Sequence, residues 1–404
     1  MSRVCSIFYQ LLELFPRWEF RYSVEQHRGE RHARGFTCWE QFVAMLFCQL
    51  AQAQSLREIC GGLASCQGKL LHLGLEKSPR RSTLAYANQH RPWELYKTLF
   101  EQLYEKCRGQ LQAAPGAANK TRLRIRRRLL TIDASLVFLC EKVFDWAEYH
   151  RGKGALKLHL VLDYQGYLPR LAVIGSPNEP ELKVARRWRF PRGAVLLFDK
   201  AYTDYSWFDQ LTDEGVWFVT RMRRDAHYEI LEQREPPAGS RVRQDSIIRL
   251  GAERRQMRQR LRRIELSPLQ GHDEFVLLTN NLRWSAATVA ELYGQRWQIE
   301  QFFRALKQNL RLKSFVGTSA NAVLIQIWTA LIAILLLKYL MLRSRFGWSL
   351  SNLVALLRLQ LFVYRDLQAW LDEPLRAPPT PQGLSYEQLQ LPLGPSLLGQ
   401  QNGS

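Results

Sequence analysis

The chain has 404 residues, 46% of them hydrophobic and 23% charged, with 57 Lys and Arg against 37 Asp and Glu, a formal charge of +20. That hydrophobic content excludes a merely basic tail and suits two or three folded domains, while the cation excess points to a polyanionic partner, with nucleic acid foremost. Seven cysteines, an odd number without a C-x-x-C pair, exclude a disulfide framework and read as buried thiols in a reducing cytoplasm.

The opening MSRVCSIFYQ lacks the long apolar core and cleavage site of a signal peptide. Ile7, Phe8, Leu11, Leu12 and Phe15 recur at helical spacing, as do Phe42, Leu46 and Leu50, and Ser55 to Glu58 has the form of a capping box. Further on, Ser82 is expected to cap a short helix carrying Tyr86, Asn88, Gln89 and His90 behind Arg80 and Arg81. Helix, turn and basic-flanked helix is the outline of a helix-turn-helix reader, and an ordinary helical bundle satisfies it too. Residues 1–108 therefore read as a helical N-terminal domain with DNA binding as its expected role, and 109–126, small and flexible, as a linker.

Beyond the linker the texture changes. A basic run, Arg122, Arg124, Arg126, Arg127 and Arg128, enters an apolar β-prone strand that reaches Asp133. KLHLVLDYQGYLPRLAVIG reads as two more strands turning at Gln165 and Gly166, and a helical stretch, PELKVARRWRF, follows. GAVLLFDKAY then ends an apolar strand at Asp199, with a helix from about 203 to 214 and a strand at 216–220. Acids at the carboxyl ends of such strands sit where α/β sheets place ligands. Residues 226–284 turn polar and strand-like and read as a β-rich insertion crowded with Arg254, Arg255, Arg258, Arg260, Arg262 and Arg263. The core thus divides into 127–225 and 285–372. Within the second part the apolar run 322–342 is long enough to span a bilayer, but Gln326, Thr329 and Lys338 interrupt it, and a buried helix is the expected reading, with no membrane partner. The tail 373–404, rich in Pro, Gly and Gln, reads as disordered.

Tyr293, Arg296, Glu300 and Lys307 fall within about 60° of one another on a helix turning 100° per residue. Alone they describe a solvated face with an i,i+4 ion pair. Combined with Asp133 and Asp199 in a strongly basic chain, they suggest carboxylates for divalent ions beside phosphate-seeking cations. Trp297, in the same segment, either stacks on an unpaired base or packs the helix. His159 reads as structural, and Asp163 as a turn acid.

Asp133-Ala134-Ser135, Asp199-Lys200-Ala201-Tyr202, and Tyr-x2-Arg-x3-Glu-x6-Lys from Tyr293 to Lys307 together resemble the DDE transposases of the insertion-sequence-four family, over roughly residues 125–340. Lys200 and Ala201 stand where that family often has Arg and Gly. The resemblance implies an α/β, RNase H-like mixed sheet with helices on both faces, interrupted by the β-rich insertion. It implies that Asp133, Asp199 and Glu300 hold two Mg²⁺ ions, with Mn²⁺ as substitute, and that Tyr293, Arg296 and Lys307 contact DNA backbone. Trp297, Arg254, Arg255, Arg258, Arg126, Arg127 and Arg128 are further candidate DNA contacts. The implied activity is cut-and-paste transposition of a bacterial insertion sequence, with a hairpin intermediate, by a cytoplasmic, nucleoid-associated enzyme that is a homodimer on double-stranded DNA. A nuclease without strand transfer and an inactive DNA-binding relative are the alternatives.

Overall fold

The computed structural model describes residues 5–376 apart from 32, 34, 67, 114–126, 140–153, 237–239, 252–256, 268–274, 311 and 313. Six helices open the chain: α1 (Ile7–Leu12), α2 (Arg17–Gln26), α3 (Cys38–Leu50), α4 (Leu56–Ser65), α5 (Arg81–His90) and α6 (Glu94–Ala113). Thr37 and Glu40 close a reciprocal capping box on α3. On α4 the expected box is half formed: Ser55 accepts from the Glu58 N–H, but the Glu58 carboxylate accepts from the Gln54 N–H instead. Ser82 is not a cap, because α5 starts one residue earlier with Arg80 at its N-cap. Nor does Asn88 face outward; it is buried and accepts from Gln41 Nε2 at 2.8 Å, while Tyr86 and His90 stack in solvent with ring centroids 4.1 Å apart. Helix α6 continues through Ala113, into the stretch expected as linker.

These helices do not pack alone. Their apolar faces share one core with α10 (Trp297–Asn309), α11 (Ala320–Arg343), α12 (Leu350–Gln360) and α13 (Leu367–Asp372). Helix α11 is apolar all round, and 83% of its most hydrophobic window is buried inside the protein, as expected for the 322–342 run. Its Trp328 lies nearly parallel to Trp93 at 6.3 Å and against Phe100 at 5.5 Å. The two chain ends are also tied: the Ile7 and Phe8 N–H groups donate to the Val363 and Leu361 carbonyls.

Among the described residues the sheet has nine strands, in the order β3-β2-β1-β4-β5-β9-β8-β7-β6. Strands β1 (Leu129–Leu139), β2 (Gly154–Asp163) and β3 (Leu168–Gly175) form an antiparallel meander. Then β4 (Val195–Leu197) runs parallel to β1, and β5 (Trp217–Arg221) parallel to β4. That five-strand order is the RNase H-like arrangement. Between β3 and β4 lies the short α7 (Glu181–Ala185), and between β4 and β5 lies α8 (Tyr205–Asp213).

The insertion is no separate module, for β9 (Phe275–Thr279) pairs antiparallel with β5 and carries β8 (Leu261–Leu266), β7 (Val242–Leu250) and β6 (Tyr228–Arg234) outward on the same sheet. Two of its arginines are not surface groups. Arg262 is 6% exposed and grips the buried Asp245 through Nε at 2.8 Å, and Arg263 is 7% exposed and bonded to Glu265 and Gln244. Asp245 of β7 neutralises Arg262 across the ladder, and Glu265 neutralises Arg263 along β8 itself.

Candidate active site

Strands β1 and β4 pair only over Leu129↔Val195, Leu130↔Leu196 and Thr131↔Leu197, and then part. The same parallel register carried two residues further sets Asp133 opposite Asp199, both half-buried at the mouth of the gap. Asp133 Oδ1 accepts from the Ala134 N–H at 2.8 Å, and Asp199 Oδ1 from the Lys200 N–H at 2.7 Å, where it caps the 3-10 turn Lys200–Tyr202. Asp163, by contrast, is a structural acid: Arg128 and the Tyr104 hydroxyl both donate to its buried carboxylate.

Burial raises the Asp133 carboxyl from its ordinary 3.8 to about 6, with Glu181 and Glu300 adding to the rise, while the Ala134 N–H and Arg296 oppose it. The folded state therefore disfavours the charged form. Below the unfolded carboxyl value both states are protonated and nothing is lost; the penalty grows between the two values and is complete above about 6. Asp133→Asn is accordingly expected to stabilise the metal-free protein by about 2 kcal/mol at neutral pH, with the gain fading from about pH 6 and gone below about pH 4. Denaturant melts at pH 4 and pH 7.5 test this; equal midpoint shifts at both values contradict it.

The segment expected as one helix is two: α9 (Ala286–Gly294) and α10 meet at Gln295 and Arg296. Across the joint each N–H bonds three residues back, as from Arg296 to Tyr293 and from Ile299 to Arg296. This tighter winding turns the chain faster than an α-helix does. It still leaves Arg296 beside Glu300, Nη2 to Oε1 at 2.5 Å. Tyr293 is buried under the Arg296 guanidinium, 5.8 Å from its ring, and burial pushes its hydroxyl up to about 12. About two turns beyond Glu300, Lys307 Nζ donates to Ser135 Oγ of β1 at 2.8 Å, pinning α10 over the strand that carries Asp133. Trp297 does not pack the helix; it is 48% exposed with the Arg304 guanidinium 5.9 Å from its ring.

Beside the acids opens a cleft of about 770 Å³ lined by Lys200, Arg221, Arg223, Tyr228 and Arg263 among others. Sequence reasoning passed over Arg221, Arg223 and Tyr228, although Arg221 closes the same β5 strand that flanks Asp199. Of the other predicted cations, Arg128 is occupied by Asp163 and Tyr104, Arg258 by Asp213 at 2.6 Å, and Arg127 stands exposed near Trp217. Arg126, Arg254 and Arg255 lie outside the described residues. His159 is buried, and burial lowers its imidazole to about 4, so it is neutral and suits a structural role.

Residues 124–336, more than half of the chain, match the family of the transposase DDE domain. The chain belongs to that family. Residues 4–76 match a separate domain family of unknown function. A candidate transposase of Sinorhizobium fredii is 32% identical over 297 residues, 72% of this chain and 80% of the relative. A candidate transposase for insertion sequence element IS5377 of Geobacillus stearothermophilus is 29% identical over 261 residues, 64% of this chain and 67% of that one. A piggyBac transposase in a synaptic complex with hairpin DNA aligns at 14% identity and TM-score 0.44 over 94% of this chain and 84% of its own, a likeness that carries no inference.

This protein is thus a DNA-cleaving transposase of the insertion-sequence kind, and DDE domains act with divalent metal ions. Asp133, Asp199 and Glu300 come from three separate segments and offer hard carboxylate oxygens, the donors that such ions take. Among the described residues no three His, Cys, Asp or Glu side chains are grouped closely enough to hold a metal ion.

Proposed function

We propose that this transposase binds the terminal inverted repeats of its element and performs cut-and-paste transposition through a hairpin, with Asp133, Asp199 and Glu300 as ligands of two Mg²⁺ ions, replaceable by Mn²⁺. The observation that carries this reading is the register that sets Asp133 opposite Asp199, with α10 bringing Glu300 to the same gap beside a basic cleft. When bound, the ions activate the attacking oxygen and stabilise the departing one. The protein's own part is to hold the strand. Arg296 and Lys307 present cations on either side of Glu300, and Arg221 and Lys200 line the neighbouring cleft, so a phosphodiester entering the gap is clamped along its backbone. Each step is an in-line displacement, first by water and then by the freed 3′-hydroxyl, and one site serves both.

Joining two element ends calls for two copies of the chain, so the working form is a homodimer on DNA, in the cytoplasm and without a membrane. The N-terminal helices supply further DNA contacts through the exposed face of α5. The decisive test is strand transfer: a pre-cut element end incubated with target DNA and Mg²⁺ yields joined product that EDTA abolishes. Cleavage that persists in EDTA with protein left covalently on DNA sinks the reading, and cleavage without any joined product reduces it to a nuclease.

Arg221→Ala is expected to weaken binding of element-end DNA and to lower the slope of log affinity against log salt by about one. Filter binding across a salt series measures it, and an unchanged slope removes Arg221 from the DNA path.

A further inference from the structure

One acid and one phenol at the gap have no part in the reading above. Glu181 is the first residue of α7, which packs against both β1 and the 3-10 turn after Asp199. Its partner within the protein is Lys157 of β2, Nζ to Oε1 at 3.8 Å, and Lys157 also donates to the Glu179 carbonyl at 3.2 Å. Tyr202 ends the 3-10 turn and is 1% exposed, yet its hydroxyl has no hydrogen-bond partner among the described residues. The charges that bear on this hydroxyl are those of Glu181, Asp133 and Asp199. Leaving a buried hydroxyl unpaired is costly, so it marks a place where something polar enters.

We propose that Glu181 and the Tyr202 hydroxyl form a fourth wall of the metal site, accepting hydrogen bonds from water on the divalent ion that Asp133 and Asp199 carry. The inference rests on the three-acid reading and deepens it. Mg²⁺ and Mn²⁺ keep several of their waters, and an ion-bound water is a strong donor that needs acceptors behind it. Glu181 supplies a carboxylate there, and Tyr202 the lone pairs of its oxygen. Lys157 neutralises Glu181, so the wall adds acceptors without adding net negative charge to the gap.

The test is calorimetric titration of the full chain with Mn²⁺ in the absence of DNA, with cleavage followed against metal concentration. Glu181→Gln is expected to weaken Mn²⁺ binding about tenfold and to raise the half-saturating metal concentration for cleavage alike, while the rate at saturating metal stays within about threefold. Tyr202→Phe is expected to weaken binding about threefold with an unchanged melting temperature, because no internal hydrogen bond is lost. Glu181→Asp restores part of the affinity. Lys157→Met leaves affinity equal or higher, whereas a purely structural Glu181–Lys157 pair makes both variants equally defective. Mn²⁺ affinity within twofold of the parent in Glu181→Gln, alongside strong losses in Asp133→Asn and Asp199→Asn, overturns the proposal alone. Unchanged affinity in all three overturns the underlying metal site with it.

Discussion

Glu300→Gln is expected to lower cleavage of element-end DNA by at least about a thousandfold while leaving DNA affinity within about threefold. The amide keeps the shape of the side chain and can still accept from Arg296, so the α10 joint and the Lys307 anchor to Ser135 remain. What is lost is the negative charge that Glu300 brings to the gap beside Asp133. Gel-shift and nicking assays on the same preparation separate the two effects, and cleavage at parental rate in the variant removes Glu300 from the chemistry. Asp199→Asn should behave alike. Arg296→Ala should differ, because it removes a phosphate-seeking cation and frees Glu300 from its ion pair; DNA affinity is expected to fall there. If binding survives in Arg296→Ala, the clamp reading fails while the acid reading stands.

Trp328→Ala is expected to cost about 3–5 kcal/mol of stability, since a fully buried indole leaves a cavity that its neighbours fill only in part. The site tests more than packing. Trp328 belongs to α11 of the catalytic half, while Trp93 and Phe100, against which it lies, belong to the N-terminal helices. With one core shared across the chain, both halves should melt together and at lower denaturant. A transition in which the N-terminal helices keep the parental midpoint would show two independent units instead. His159, buried neutral on β2, adds a stability loss on acidification: with its folded value at about 4, the unfolded chain takes up the proton first as pH falls below the ordinary 6.5.

Much of the core was legible in sequence because local pattern and tertiary role agree there. The three-strand meander, the strand ending near Asp199, α8 and strand β5 each announce themselves by apolar runs or by period. Three features were not legible, each for a physical reason. Strand β6 is exposed along nearly its whole length, so it carries no alternation to read. The joint between α9 and α10 lies within helical backbone angles and has neither Gly nor Pro at Gln295 or Arg296. Glu181 follows a proline in a five-residue helix and looks like any first-turn acid.

Cations were the least predictable. Arg254, Arg255, Arg258, Arg260, Arg262 and Arg263 read as one basic cluster, yet Arg262 is buried in the ladder on Asp245 and Arg258 is held by Asp213, while Arg263 lines the cleft together with Arg221 and Arg223 of a different segment. Sequence counts charge, but only the fold decides which charges are cancelled.

The sequence by itself pointed to the class of partner, through its excess of cations, and proposed the acids Asp133, Asp199 and Glu300, through the resemblance of their surrounding motifs to one family. The tertiary structure decided which of these meet. The parallel register of β1 and β4 carries Asp133 and Asp199 to matching positions just beyond their pairing, and the bond from Lys307 to Ser135 ties α10, which bears Glu300, to β1. Register and helix docking depend on contacts between residues far apart in the chain, and no local pattern encodes them.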